Sequence, residues 1–237
     1  MSNYTLSIPA ENVTTAEPIA FDSMSSLLKK NYAKYSSFFK VAAENSKIDL
    51  SILLAFSFAL SGVGENPGTH VDLTKGVIPW NLNFAPSFLK TEYDLQRLTE
   101  SEKSIFKTHG IKFTKKGTTR VLTKADQLNA ELNILIGSII IGQLLDNIDE
   151  GKKDLLVWNS NPDGVLRLDR IYAMYLLSAY QPLTYKLPSE VDKVRRDKST
   201  QPSEFVSFGE KNDLYWVRGV RNLIGKNGFF EIVLKTI

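Results

Sequence analysis

Apolar positions recur at helical spacing along most of the chain. From Ser23, the residues Met24, Leu27, Leu28, Tyr32, Tyr35, Phe38, Phe39, Val41, Ala42 and Ala43 keep one apolar face, which predicts one or two helices running to about Asn45. Asp49 stands where an N-cap belongs, able to accept from the first free amides of a new helix. Ile48 before it and Leu53 after it have the spacing of a hydrophobic staple. The sequence LSILLAFSFALSG that follows is apolar nearly all round, so residues 49–62 are expected to form a central helix enclosed by others, notably those carrying Asn133 and Tyr180. Gly62 and Gly64 supply its stop.

Residues 64–90 bring Gly, Pro, Asn and Trp in quick succession and predict an irregular loop. A short helical stretch is expected within 89–110, and IKFTKKGTTRVLT then alternates about Lys116 and Gly117 as a β-hairpin or flap would. Helical periodicity returns over 123–149, through Ile134, Ile136, Ile139, Ile140, Leu144 and Leu145, and again over 166–180. Beyond Pro188 a charged run leads to EFVSF, LYWVRGVR and FFEIVLKTI, whose alternation suggests short strands. Residues 1–22, rich in Thr, Ser, Asn, Pro and Glu, have too few apolar positions to pack a core of their own and read as an extended arm, ordered by lying on its own domain or on a neighbouring subunit. The expected fold is therefore mainly α: an N-terminal arm over 1–22, a helical domain over 23–188 and a β-containing extension over 189–237.

A chain of 237 residues with 43% hydrophobic and 23% charged content is long enough to bury one substantial core. The formal net charge of +3 is too small to argue for nucleic acid. KVRRDK around Arg195 and Arg196, and Lys115, Lys116 and Arg120, read as solvated charge. Cysteine is absent, which excludes disulfides and thiolate metal sites, and His70 and His109 lack metal-ligand spacing, so neither metal nor cofactor is expected. The first residues show neither the basic nor the apolar region of a secretory signal, and the runs 52–60 and 132–145 are shorter than the roughly 20 residues that span a bilayer, so a soluble protein is expected.

Four segments, in order, resemble the soluble lytic transglycosylases of the lysozyme-like group, related to goose-type lysozyme. That family ends a buried helix in a Glu-Ser pair followed by a Gly/Asn/Pro loop, and ILLAFSFALSGVGENP is similar through Ser61, Asn66 and Pro67. Its Gly-Leu-Met-Gln segment is matched by Gly76, Val77 and Ile78, with Pro79 in place of the glutamine and Trp80 following. Its Asn-Ile pair with a following glycine is matched by Asn133, Ile134 and Gly137, and its Ala-Tyr-Asn-Ala-Gly segment by Ala179 and Tyr180, where Gln181 and Pro182 depart. The resemblance covers roughly residues 40–181 and leaves both ends unexplained.

It implies a cleft for peptidoglycan glycan strands, with Ser61, Trp80, Asn133 and Tyr180 as glycan-binding residues. It also exposes a departure: Leu60 stands where the family keeps its catalytic glutamate. Cleavage in this group needs a carboxylic acid that protonates the leaving oxygen and then takes a proton from the attacking sugar hydroxyl, and leucine does neither. Glu65, in the following loop, is the substitute to consider, whereas Glu44 and Glu131 read as surface or helix-end charges. Three functions stay open: a catalytically impaired, glycan-binding or structural protein, virion-associated by analogy with lysozyme-like modules of bacteriophage particles; an active enzyme with Glu65 as acid; or a purely structural assembly protein whose arm contacts other virion subunits.

Overall fold

A computed structural model of the chain describes residues 5–6, 10–65, 74–83, 89, 96–114, 117–118, 121–146, 165–166, 168–176, 202–211 and 216–237. Expectations for Asn66, Pro67, His70, Tyr180, Gln181, Pro182, Arg195 and Arg196 fall outside these residues, as do those for Lys115, Lys116 and Arg120. The fold is mainly α. Its helices are α1 (Phe21–Ser46), α2 (Leu50–Ser61), α3 (Glu100–Thr108), α4 (Lys124–Leu128), α5 (Ala130–Asp146), α6 (Leu168–Tyr175), α7 (Pro202–Lys211), α8 (Trp216–Ile224) and α9 (Phe229–Thr236). No helix among the described residues is long and apolar enough to cross a membrane.

Helix α1 is a single rod of 26 residues, about 39 Å long at 1.5 Å per residue. Leu28, Asn31, Phe39, Ala42 and Ala43 face inward, while Lys29, Lys30, Lys34 and Lys40 face water. It ends in a Schellman motif: Lys47 turns left-handed (φ 54°) and donates to Glu44 O, and Ile48 donates to Ala43 O. One residue later Asp49 caps α2 as its sequence position predicts, Oδ1 accepting from Ser51 N at 2.8 Å and from Ser51 Oγ at 2.7 Å.

Helix α2 is the centre of the molecule. Ile52, Leu53, Leu54, Ala55, Phe56, Ser57, Phe58, Leu60 and Ser61 are all buried, and Gly62, left-handed at φ 62°, ends the helix with its amide on Phe58 O. It packs against α1, α8 and α9, and its rings reach further: Phe56 lies edge-on to Tyr172 and Tyr175 of α6, and Phe58 to Phe229 of α9. Helix α5 crosses α1 and α6. Two capping boxes start the shorter helices, Thr99 with Glu102 for α3 and Thr123 with Asp126 for α4.

The C-terminal region corrects the sequence reading. EFVSF, LYWVRGVR and FFEIVLKTI, expected as strands, lie mostly within α7, α8 and α9. Trp216, Val220, Leu223 and Ile224 recur at i, i+4, i+7 and i+8, a helical face that buries against α6 and α2; this burial outweighs the strand propensity of their β-branched and aromatic neighbours. Among the described C-terminal residues, strand remains only at β8 (Gly225–Lys226). Nor is this region an appendage, since Trp216, Val220, Phe230 and Val233 belong to the same core as α2.

The other strands are short and paired in twos: β1 (Thr5–Leu6) with β7 (Val165–Leu166), β2 (Ala10–Thr14) with β8, β3 (Thr74–Lys75) with β4 (Trp80–Asn81), and β5 (Phe113–Thr114) with β6 (Gly117–Thr118). The β5–β6 pair forms the hairpin read from the alternation, with Gly117 as the first residue of its second strand. The arm does lie on its own chain: both of its strands run parallel to later segments, and α1 begins two residues before Ser23.

One buried carboxylate joins three of these elements. Glu102 of α3 accepts from Thr99 N at 2.7 Å and from Ser46 Oγ of α1 at 3.3 Å, and Ser46 Oγ is 2.9 Å from Ser138 Oγ of α5. Burial pushes its carboxyl above the ordinary 4.5, and the hydrogen bonds from Thr99 and Ser46 only partly oppose this. A raised folded pKa means that the folded state binds the proton more tightly than the unfolded chain does. Glu102 therefore contributes most to stability at low pH, and that contribution is lost as pH rises from near 4.5 through the raised value. Thermal melts of wild type and Glu102→Gln across this range should show a smaller decline for the variant, whose amide oxygen still accepts from Thr99 N.

Candidate functional site

Among the described residues that carry the sequence resemblance, Ser61, Gly76, Val77, Ile78, Asn133 and Gly137 meet at one end of α2. Ser57 and Ser61 lie one turn apart on the same face, and both hydroxyls reach Val77 O at 2.6 Å. Ser61 Oγ also lies 3.0 Å from Ser57 O and accepts from Gly64 N at 2.9 Å, so it ties the end of the helix to the loop that follows.

From the opposite side, Asn133 in the first turns of α5 uses both ends of its amide. Its Oδ1 accepts from Ile78 N at 2.8 Å and its Nδ2 donates to Lys75 O at 3.2 Å. The main-chain oxygen of Asn133 accepts from Trp80 Nε1 at 3.2 Å. Gln127 of α4 donates to Trp80 O at 2.5 Å, and Tyr175 of α6 donates to Pro79 O at 3.0 Å. Side chains of α2, α4, α5 and α6 thus hold the main chain between Lys75 and Trp80.

Two glycines allow this close approach. Gly76 sits at φ 113°, and a Cβ there would lie 2.0 Å from Asn133 Nδ2; a Cβ on Gly137 would lie 2.7 Å from Ile78 Cγ2. Ile78, Trp80 and Asn133 are wholly buried and Ser61 is 3% exposed. Trp80, expected as a glycan-binding residue, is wholly buried, and the polar atoms of Ser61 and Asn133 bond to main chain. These three are therefore packing and tethering residues in this structure. The structure brings Ser61, Gly76, Asn133 and Gly137 together and leaves Glu65 outside the network. Ser57, Gln127 and Tyr175 were missed in the sequence; the i, i+4 spacing of Ser57 and Ser61 among apolar residues was the available signal for Ser57.

Leu60 immediately precedes Ser61 in the last turn of α2 and is buried, 7% exposed. Glu65 is exposed, and its Cβ lies 3.4 Å from where a Cβ on Gly62 would stand, so the root of its side chain abuts the end of the helix. Around the same turn, Asn31 Nδ2 donates to Gly62 O at 2.9 Å, and the Tyr35 ring packs beside Gly64. Five other described carboxylates lie elsewhere. Glu102 and Asp126 close capping boxes, Asp169 is buried in the first turn of α6, and Glu131 meets His109 Nε2 at 2.8 Å; Glu44 is exposed on α1. Among the described residues no group of three or more His, Cys, Asp or Glu is placed to hold a metal ion.

Comparison with known family models, curated proteins and solved structures gives no match, so the functional reading stands on this geometry and on the residues themselves. The class that fold and network define is a mainly helical domain built around an internally tethered segment.

Two substitutions test the tether. Asn133→Ala leaves Ile78 N and Lys75 O without their partners and should lower unfolding free energy by about 2–4 kcal/mol in denaturant titration. Gly137→Ala forces a methyl group against Ile78 and should cost about 1–3 kcal/mol by the same measurement.

Proposed function

We propose that this chain is a catalytically impaired, lytic-transglycosylase-like protein whose role is structural. The observation that supports this reading is the buried Leu60 next to Ser61, at the point where the motif residues converge. A glycosidic oxygen leaves readily only when it is protonated, and positioned acid–base catalysis typically contributes about 10²- to 10⁴-fold. A leucine has no proton to give. The hydroxyl and amide groups of Ser57, Ser61 and Asn133 are occupied by main-chain partners, which fits a scaffold. On this reading the partners are other protein subunits, those of a virion being the expectation that comes with the resemblance.

A second reading has one observation in its favour: exposed Glu65 begins beside the end of α2, five residues after Leu60. Peptidoglycan digestion separates the two. Wild type and Glu65→Gln should both release no anhydro-muropeptides, and neither should sediment with isolated peptidoglycan. Release by wild type that Glu65→Gln abolishes would make Glu65 the acid and overturn the structural reading. Leu60→Glu places a carboxylate in a 7% exposed position, so its melting temperature should fall whether or not it gains activity.

A further inference from the structure

The N-terminal arm and the C-terminal helices meet away from the motif residues. Strand β2 runs parallel to β8, with Ala10 opposite Gly225 and Thr14 opposite Lys226, an irregular register in which four steps of the arm match one step of its partner. Side chains of α8 supply most of the hold. Arg221 donates to Thr14 O from Nε at 2.9 Å, and from Nη2 to Thr14 Oγ1 at 3.0 Å and Thr15 O at 3.3 Å. Glu210 of α7 accepts from Arg221 Nη1 at 2.5 Å and so orients the guanidinium. Asn222 Oδ1 accepts from Ala16 N at 2.8 Å, and Arg218 pairs with Glu17.

The seat reads the arm's main chain as well as its side chains. Of the arm's carbonyls and amides, Thr14 O, Thr15 O and Ala16 N are bound by side chains of α8. Gly225 is where the arm passes closest: a Cβ there would lie 3.0 Å from both Val13 O and Thr15 N. Val13 enters the core at 3% exposed, while Asn12 and Thr14 on either side of it are exposed. An extended segment with one small apolar residue is the ligand such a surface fits, as in recognition by strand addition.

Residues 18–20, starting at Pro18, join the seated residues to α1 at Phe21 without regular secondary structure, and three residues span up to about 10 Å when extended. A strand attached through such a hinge, with a seat identical on every copy, meets the conditions for exchange between protomers. We infer that the surface formed by Arg221, Asn222 and Gly225 is a strand-acceptor site, and that it takes the arm of a second copy of this chain in exchange with the chain's own.

Cysteine pairing tests this cleanly, because the chain has no cysteine and Thr14 and Lys226 are exposed register partners. Full-length Thr14→Cys and Lys226→Cys chains are mixed at high concentration, oxidised, and analysed by non-reducing electrophoresis and peptide mass spectrometry. A disulfide between position 14 of one chain and position 226 of the other is the expected result, and Arg221→Ala in the acceptor chain should reduce its yield several-fold. The double variant on one chain is the control for the seat itself. If it oxidises within the chain while the mixed single variants form no 14–226 bond, exchange does not occur. Failure of both to form that bond would show that the arm does not occupy the seat, which also overturns the inference.

Discussion

A turn enclosed by helices needs a partner for each main-chain polar group it carries inside, because an amide or carbonyl left bare in the interior costs about 1–3 kcal/mol. In the turn that joins β3 to β4, side chains supply such partners. Ser57, Ser61, Gln127, Asn133 and Tyr175 supply them from four helices. Each hydrogen bond therefore also fixes a helix in place. Helix α2 can approach this segment only where its serines face it, α5 only where Gly137 lets Ile78 pass, and α6 only where Tyr175 reaches Pro79. The packing of aromatic rings around Phe56 then follows from an arrangement that polar contacts have already narrowed.

Much of the helical framework was legible. An all-apolar run bounded by Asp49 and Gly62 has few solutions other than a buried, capped helix, and the structure has that helix at that place. The tether was legible only through Ser61, Gly76 and Asn133, which came from a resemblance and not from periodicity. Gln127 and Tyr175 bond to carbonyls nearly 50 and 100 residues away, and a carbonyl has no sequence signature. The C-terminal segments misled for a different reason. Short runs such as EFVSF satisfy both a period of 2 and a period of 3.6, and the surface that decides between them belongs to the elements they pack on, α8 and β2 in this case, rather than to the runs themselves.

Leu60 also has a physical logic apart from catalysis. An ionised glutamate at a position 7% exposed would have to be desolvated or hydrogen-bonded, and active enzymes tolerate that strain because the chemistry requires it. A leucine there joins the core without penalty. The polar groups nearby, on Ser57 and Ser61, have main-chain partners of their own, so the end of α2 holds its geometry with a leucine at position 60.

The pairing of the arm with α8 and β8 has a bearing on how the chain is made. Arg221 reaches Thr14 across a separation of 207 residues, and Ala16 reaches Asn222 across 206, so these contacts are among the least local that a chain of this length can form. During synthesis β2 emerges long before its seat exists, at about 5–20 residues per second. Helices α1 and α2 likewise wait for α8 and α9 to cover them. Apolar surface on the nascent chain therefore stays open until α8 and α9 have been made, which makes these two helices the step that commits the domain to its fold.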